Sequence, residues 1–145
     1  MNTTHPNPAA TPLKVLVADD NPVNRRLMIG ILGVMGHTGM VVRDGVDALR
    51  CLSKHPFDLV LMDVMMPKMN GLDALAAIRS QEQVQGGHLP VIMVTAHSDG
   101  IDQFKYRQAG ADGFVSKPIH LETLRLELQR LFDRPQPMID RRIQI

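Results

Sequence analysis

The 145-residue chain has one cysteine, no tryptophan and one tyrosine. A single thiol, Cys51, closes no internal disulfide and cannot alone build a zinc site, which fits a reducing compartment. No apolar run reaches the roughly 18 residues that a bilayer crossing needs. The opening MNTTHPNPAATP lacks the charged start and apolar stretch of a secretory signal, so the expected location is cytoplasmic. An excess of one charge is missing too: sixteen Lys and Arg stand against fifteen Asp and Glu, a formal net charge of +1. That balance gives no general electrostatic footprint for nucleic acid or an anionic surface. Neither direct nucleic-acid binding nor membrane insertion is expected.

What is present is an ordinary globular composition, 44% hydrophobic and 21% charged, at a length that suits one domain. With few aromatic residues and 10 methionines, the core is aliphatic and thioether-rich. Residues 1–12, with Pro6, Pro8 and Pro12, read as a mobile leader, 13–133 as the folded domain and 134–145 as a tail. Short runs rich in β-branched residues predict strands at Lys14 to Ala18, Met40 to Arg43, Asp58 to Met62, Pro90 to Thr95 and Gly113 to Ser116. Their nearly continuous apolar character suits a parallel sheet covered on both faces.

Segments of helical period separate the runs. The first has Asn21 or Asp20 as its cap, Pro22 early, and Val23, Leu27, Ile31 and Met35 on one stripe. In 98–109 the stripe is divided, Ile101 with Phe104 on one side and Tyr106 with Ala109 on another. The last helix sets Leu121, Leu124, Leu128 and Leu131 on one face and stops before Pro135. Five alternations of strand and helix predict an α/β, doubly wound five-stranded parallel sheet with helices on both faces. In such sheets ligands sit beyond the carboxyl ends of the strands.

That rim collects the chemistry. Asp19 and Asp20 follow the first strand, Asp63 the third, Thr95 closes the fourth and Lys117 follows the fifth. Three gathered carboxylates repel one another, and a divalent cation with a lysine removes the conflict. Oxygen-only donors with room for water suit Mg²⁺. Asp63 is then a carboxylate nucleophile that takes up a phosphoryl group as an acyl phosphate. Lys117 would neutralise the transferring oxygens and Thr95 would donate a hydrogen bond. Taken singly, Asp19 and Asp20 could be helix caps, Thr95 a strand end and Lys117 a surface charge. Four strand ends carrying the parts of one phosphoryl-transfer site are harder to assign to capping and solvation.

The blocks VLVADDNPVNRRL, LVLMDVMMPKMNGLDAL, PVIMVTA and AGADGFVSKPI, in this order from about Leu13 to Phe132, resemble the receiver domains of two-component response regulators. The resemblance implies a flavodoxin-like fold with strand order 2-1-3-4-5. It implies a signalling phosphoacceptor, not a turnover enzyme, loaded from a phosphohistidine on a sensor histidine kinase or histidine phosphotransfer protein. Asp63 would be phosphorylated, and Asp20, Asp19, Asp63 and the carbonyl of Met65 would hold Mg²⁺. Thr95 and Phe114 match the switch positions, where an outward ring swings inward as the hydroxyl moves. An aromatic at 114 could also simply pack. The Lys117–Pro118 bond is expected to be cis. Met65 and His97 fall where the family tunes phosphate loss, and His97 is expected to face solvent.

The resemblance also implies output through the face of the fourth helix, fifth strand and fifth helix. With no effector after Phe132, the expected message is a protein contact or onward phosphotransfer. The DDNPVNRRL block resembles receivers of hybrid kinases, so the chain could equally be a piece of a larger protein. Two other readings stay open. One is a Mg²⁺-dependent phosphohydrolase acting through an aspartyl phosphate, which would want an Asp where Met65 stands. The other is a non-phosphorylated docking module of the same fold.

Overall fold

Each apolar run becomes a strand and each is followed by a helix. The order is β1 (Lys14–Ala18), α1 (Pro22–Val34), β2 (Thr38–Val42), α2 (Gly45–Lys54), β3 (Leu59–Asp63), α3 (Gly71–Gln85), β4 (Val91–Thr95), α4 (Gly100–Gln108), β5 (Gly113–Ser116) and α5 (Leu121–Phe132). The computed structural model describes residues 12–96 and 99–132. The expected leader, apart from Pro12, the tail and His97 lie outside the described residues. The strands form one parallel sheet in the order β2-β1-β3-β4-β5.

The sheet divides the core by the two-residue period of its strands. Val15, Val17, Leu61, Ile92, Val94 and Val115 join Met28, Ile31 and Leu32 of α1 and Leu124 and Leu128 of α5. Leu16, Ala18, Val60, Met62, Val91 and Met93 face Ala48 of α2, Ala74, Leu75 and Ile78 of α3, and Tyr106 of α4. β3 and β4 are buried along their whole length. Each fully covered Leu among them contributes roughly 1.5–3 kcal/mol, which holds the central strand ends in place.

Several expected details shift. The buried face of α1 is Met28, Ile31 and Leu32, while Val23 and Leu27 are exposed and Met35 is only partly covered. A strict four-residue ladder advances about 40° too far at each step, so it walks off the core stripe. In α4 the sheet selects Tyr106 and leaves Ile101 81% and Phe104 64% exposed. Leu121 of α5 is also 40% exposed. β2 begins at Thr38, not Met40, and as an edge strand it leaves Met40 and Val41 exposed, so full coverage of both faces fails there. β3 runs Leu59–Asp63, one residue later than expected, and Asp58 just before it accepts the Lys14 N–H on its carboxylate at 2.8 Å.

Opposite the rim, Arg79 of α3 ties the strand starts together. Its guanidinium donates to the carbonyls of Gly110 (3.0 Å) and Leu89 (2.8 Å) and pairs with Asp112 (2.8 Å) and Glu82 (2.9 Å). Asp112 also accepts from the Val91 N–H at 2.8 Å. Among the described residues no helix is long and apolar enough to cross a membrane.

Candidate functional site

Of the residues expected at the rim, Asp19, Asp20, Asp63 and Lys117 meet there, while Thr95 ends β4 with its hydroxyl turned to α4. Asp19 follows the last residue of β1, fully buried, with its N–H donated to Val42 at 3.1 Å. Its Oδ1 accepts the Asn21 N–H at 2.8 Å, while Asn21 Oδ1 caps α1 through Val23 N–H (2.8 Å) and Asn24 N–H (3.3 Å). The Arg25 guanidinium donates to the Asp19 carbonyl at 2.8 Å. Of the two expected caps, Asn21 therefore holds the helix and leaves the carboxylates to the rim. Asp20 is exposed beside them.

Asp63 ends β3, nearly fully buried, where it pairs in register with Val94. The Lys117 ammonium stands 2.9 Å from its Oδ1 and 3.8 Å from Asp19 Oδ2. The Met65 N–H lies 3.4 Å from the same Oδ1. Burial pushes the Asp63 carboxyl above its ordinary range, opposed by the bond from Lys117 and reinforced by the charge of Asp19. The Lys117 backbone N–H donates to the Thr95 carbonyl at 2.7 Å, and the Lys117–Pro118 bond is cis.

A cation fits this arrangement. Asp19, Asp20 and Asp63 each bring a carboxylate oxygen within 4.8 Å of the others. Asp19 Oδ2 is buried and accepts no hydrogen bond among the described residues, a costly state for a carboxylate oxygen unless something positive faces it. Lys117 at 3.8 Å answers this only in part. Three hard oxygen donors, one of them solvent-facing, suit Mg²⁺, which keeps several waters.

Thr95 and Phe114 lie to one side of the carboxylates. Thr95 is buried, with its Oγ1 2.8 Å from the hydroxyl of Tyr106 on α4. Phe114 is partly covered, its ring 6.4 Å from that of Tyr106 at 52°, with the Arg107 guanidinium 5.0 Å from its centroid. Met65 is 75% exposed.

Some contributors were not expected from the sequence. Gly71 opens α3 against the end of β3: a Cβ there would sit 3.0 Å from the Asp63 carbonyl carbon and closer still to its oxygen. The Gly71 N–H donates to Val64 at 2.9 Å. Gly45 likewise lets α2 approach Met69, where a Cβ would come within 2.6 Å of a carbonyl oxygen. The Asn-Gly pair at 70–71 was the available signal for a tight turn, but not for what it abuts. Tyr106 was visible only as half of a divided stripe.

A profile of the response regulator receiver domain matches residues 15–129. The chain is 42% identical over 118 residues to hybrid signal transduction histidine kinase I of Dictyostelium discoideum, covering 78% of this chain and 7% of that protein. It is 39% identical over 122 residues to the sensor histidine kinase RcsC of Escherichia coli, covering 84% of this chain and 12% of that one. The chain thus spans only a small part of the hybrid kinases that it matches. Against chemotaxis protein CheY-3 of Vibrio cholerae the identity is 37%, over 84% of this chain and 93% of the relative. Among solved structures, the receiver domain of a sensor histidine kinase from Pseudomonas aeruginosa, with magnesium coordinated in its active site cleft, superposes with a TM-score of 0.73 at 32% identity, covering 83% and 97% of the two chains. Chemotaxis response regulator CheY4 of Vibrio cholerae gives 0.76 at 33%, covering 84% and 100%. The fold and the sequence agree, and this chain belongs to the response regulator receiver domains, the phosphoacceptor modules of two-component and phosphorelay signalling.

Proposed function

We propose that Asp63 is the phosphoacceptor, loaded from a phosphohistidine of a histidine kinase or histidine phosphotransfer protein. The observation that carries this is the buried Asp63 carboxylate at the end of a central strand, 2.9 Å from the Lys117 ammonium and within a three-carboxylate cluster. One carboxylate oxygen of Asp63 attacks phosphorus, the P–N bond to the imidazole breaks, and the imidazole nitrogen takes back its electron pair. Lys117 holds charge on the phosphoryl oxygens, and Thr95 supplies a hydroxyl donor once its Oγ1 turns toward them. Low exposure of Asp63 keeps the acyl phosphate from bulk water.

Receiver domains bind Mg²⁺ at their acidic site, and here Asp19, Asp20, Asp63 and the Met65 carbonyl would hold it. When bound, it supplies neutralisation of the carboxylates and of the phosphoryl oxygens. Met65, large and without a donor, is read as an obstacle to the attacking water that slows phosphate loss. His97 remains a candidate tuning residue outside the described residues.

Receiver domains work with histidine kinases or phosphotransfer proteins, and hybrid kinases are among this chain's relatives. The output surface is read as the α4-β5-α5 face, where Ile101, Phe104 and Leu121 stand exposed and Phe114 lies partly covered. A kinase charged from cytoplasmic ATP would place the reaction in the cytoplasm. The hydrolase alternative gains nothing from the site, since the position two beyond Asp63 is a methionine.

The test is incubation with acetyl phosphate, and separately with a phosphorylated histidine phosphotransfer protein, in the presence of Mg²⁺. Acid-labile incorporation that disappears in Asp63→Asn supports the reading. Incorporation that survives in Asp63→Asn refutes it, and so does its complete absence from the parent with both donors. Multiple turnover on a phosphate monoester would favour the hydrolase instead.

A further inference from the structure

Thr95 is placed on the wrong side of the sheet for its task. Along β4, Val91 and Met93 face α2, α3 and α4, while Ile92 and Val94 face α1 and α5. Thr95, next in the alternation, reaches the hydroxyl of Tyr106 on α4 at 2.8 Å. Asp63 instead follows the alternation of Leu59 and Leu61, on the α1 and α5 side, where Lys117 meets it. A threonine hydroxyl carries one hydrogen. Whichever of the two hydroxyls donates, the bond draws Thr95 Oγ1 toward α4.

Phe114 cannot provide that bond, having no hydroxyl. Its ring instead leans on Tyr106 at 6.4 Å and carries the Arg107 guanidinium at 5.0 Å. Tyr106, Phe114 and Arg107 are therefore one packed unit, and Tyr106 and Arg107 belong to α4. We infer that the Tyr106 hydroxyl is a positioning group for phosphoryl uptake: it holds Thr95 toward α4 before transfer and releases it when Thr95 turns to the phosphoryl group at Asp63. Occupancy of Asp63 is then read by α4 through the lost contact with Tyr106. This rests on the reading of Asp63 as the phosphoacceptor.

The composition supplies a direct probe. With one tyrosine and no tryptophan in the chain, the near-ultraviolet phenol band and intrinsic fluorescence report on Tyr106 alone. The full chain is titrated with beryllofluoride and Mg²⁺, with uptake followed by fluorine NMR. The expected result is a phenol difference spectrum that saturates together with uptake. Tyr106→Phe, which keeps the ring, binds beryllofluoride about twofold to tenfold more tightly, the equivalent of one net hydrogen bond no longer broken. In a Thr95→Val background the same change at Tyr106 leaves affinity where Thr95→Val alone puts it.

Uptake with an unchanged phenol spectrum overturns the inference and leaves Asp63 as acceptor. A Tyr106→Phe variant that binds no more tightly than the parent overturns it equally. No uptake by the parent overturns the phosphoacceptor reading, and the inference with it.

Discussion

Two substitutions of glycine by alanine should change stability in opposite directions. At Gly71 a Cβ would lie 3.0 Å from both the Asp63 carbonyl carbon and Met62 Cγ, and nearer still to the Asp63 carbonyl oxygen. Met62 Cγ can yield, but the Asp63 backbone is held in the ladder with β4 and Gly71 is held by its bond to Val64 at 2.9 Å. Overpacking of this kind costs about 1–3 kcal/mol, and the better helix propensity of alanine returns less than about 1 kcal/mol. The net loss of about 1–2 kcal/mol lowers the urea midpoint by roughly 0.5–1 M for an ordinary m-value. Because the displaced group is the backbone of Asp63 itself, Mg²⁺ affinity should fall as well. Gly30, inside α1, has nothing within 4 Å of an added Cβ. Gly30→Ala should therefore raise stability by up to about 1 kcal/mol and leave Mg²⁺ affinity unchanged. Equilibrium urea unfolding with parallel metal titration checks both. A Gly71→Ala midpoint at or above the parent's, with unaltered Mg²⁺ binding, would refute the close approach of α3 to the site.

His37 is buried and its Nδ1 accepts the Leu13 N–H at 3.0 Å, and burial lowers its imidazole below the usual 6.5. As pH falls the unfolded chain takes up the proton first, so stability is complete above about pH 6.5 and is lost as pH drops through the lower folded value. Urea midpoints between pH 8 and pH 5 should fall less in His37→Gln than in the parent, and parallel curves would dismiss the role of His37. Asp112→Ala leaves the Val91 N–H and the Arg79 guanidinium without their 2.8 Å partner. It should cost about 2–3 kcal/mol without moving Mg²⁺ affinity, since Asp112 lies at the other end of the strands; a matching loss of Mg²⁺ binding would contradict that separation. Met65→Asn should accelerate phosphate loss from the loaded protein, measured by the decay of acid-labile phosphate, and an unchanged decay would rule out steric protection by Met65.

The rim was legible because its residue types are costly in their places. A carboxylate after Leu59, Val60, Leu61 and Met62 has no cheap explanation in a buried strand, and Asp19, Thr95 and Lys117 fall at the same end of other strands. The fully buried β3 and β4 were legible as apolar runs for a related reason, whereas the edge strand β2 carries a mixed pattern and starts two residues earlier than its apolar run suggests. Strand order is not written in periodicity, and came from the resemblance to receivers. Gly71 and Tyr106 could not be weighed from the chain, because their meaning depends on what lies across from them. Tyr106 is eleven residues from Thr95 on a helix with two competing stripes, and only the sheet decides which is buried.

The central claim is that Asp63 carries the phosphoryl group, and trapping the acyl phosphate tests it most directly. The protein is loaded with acetyl phosphate and Mg²⁺, reduced with borohydride, digested and sequenced by mass spectrometry. Reduction of an aspartyl phosphate leaves homoserine in place of the aspartate. Homoserine at position 63 in the loaded parent, and its absence without acetyl phosphate, is the result predicted. Homoserine at position 19 or 20 with an intact Asp63 would contradict the account.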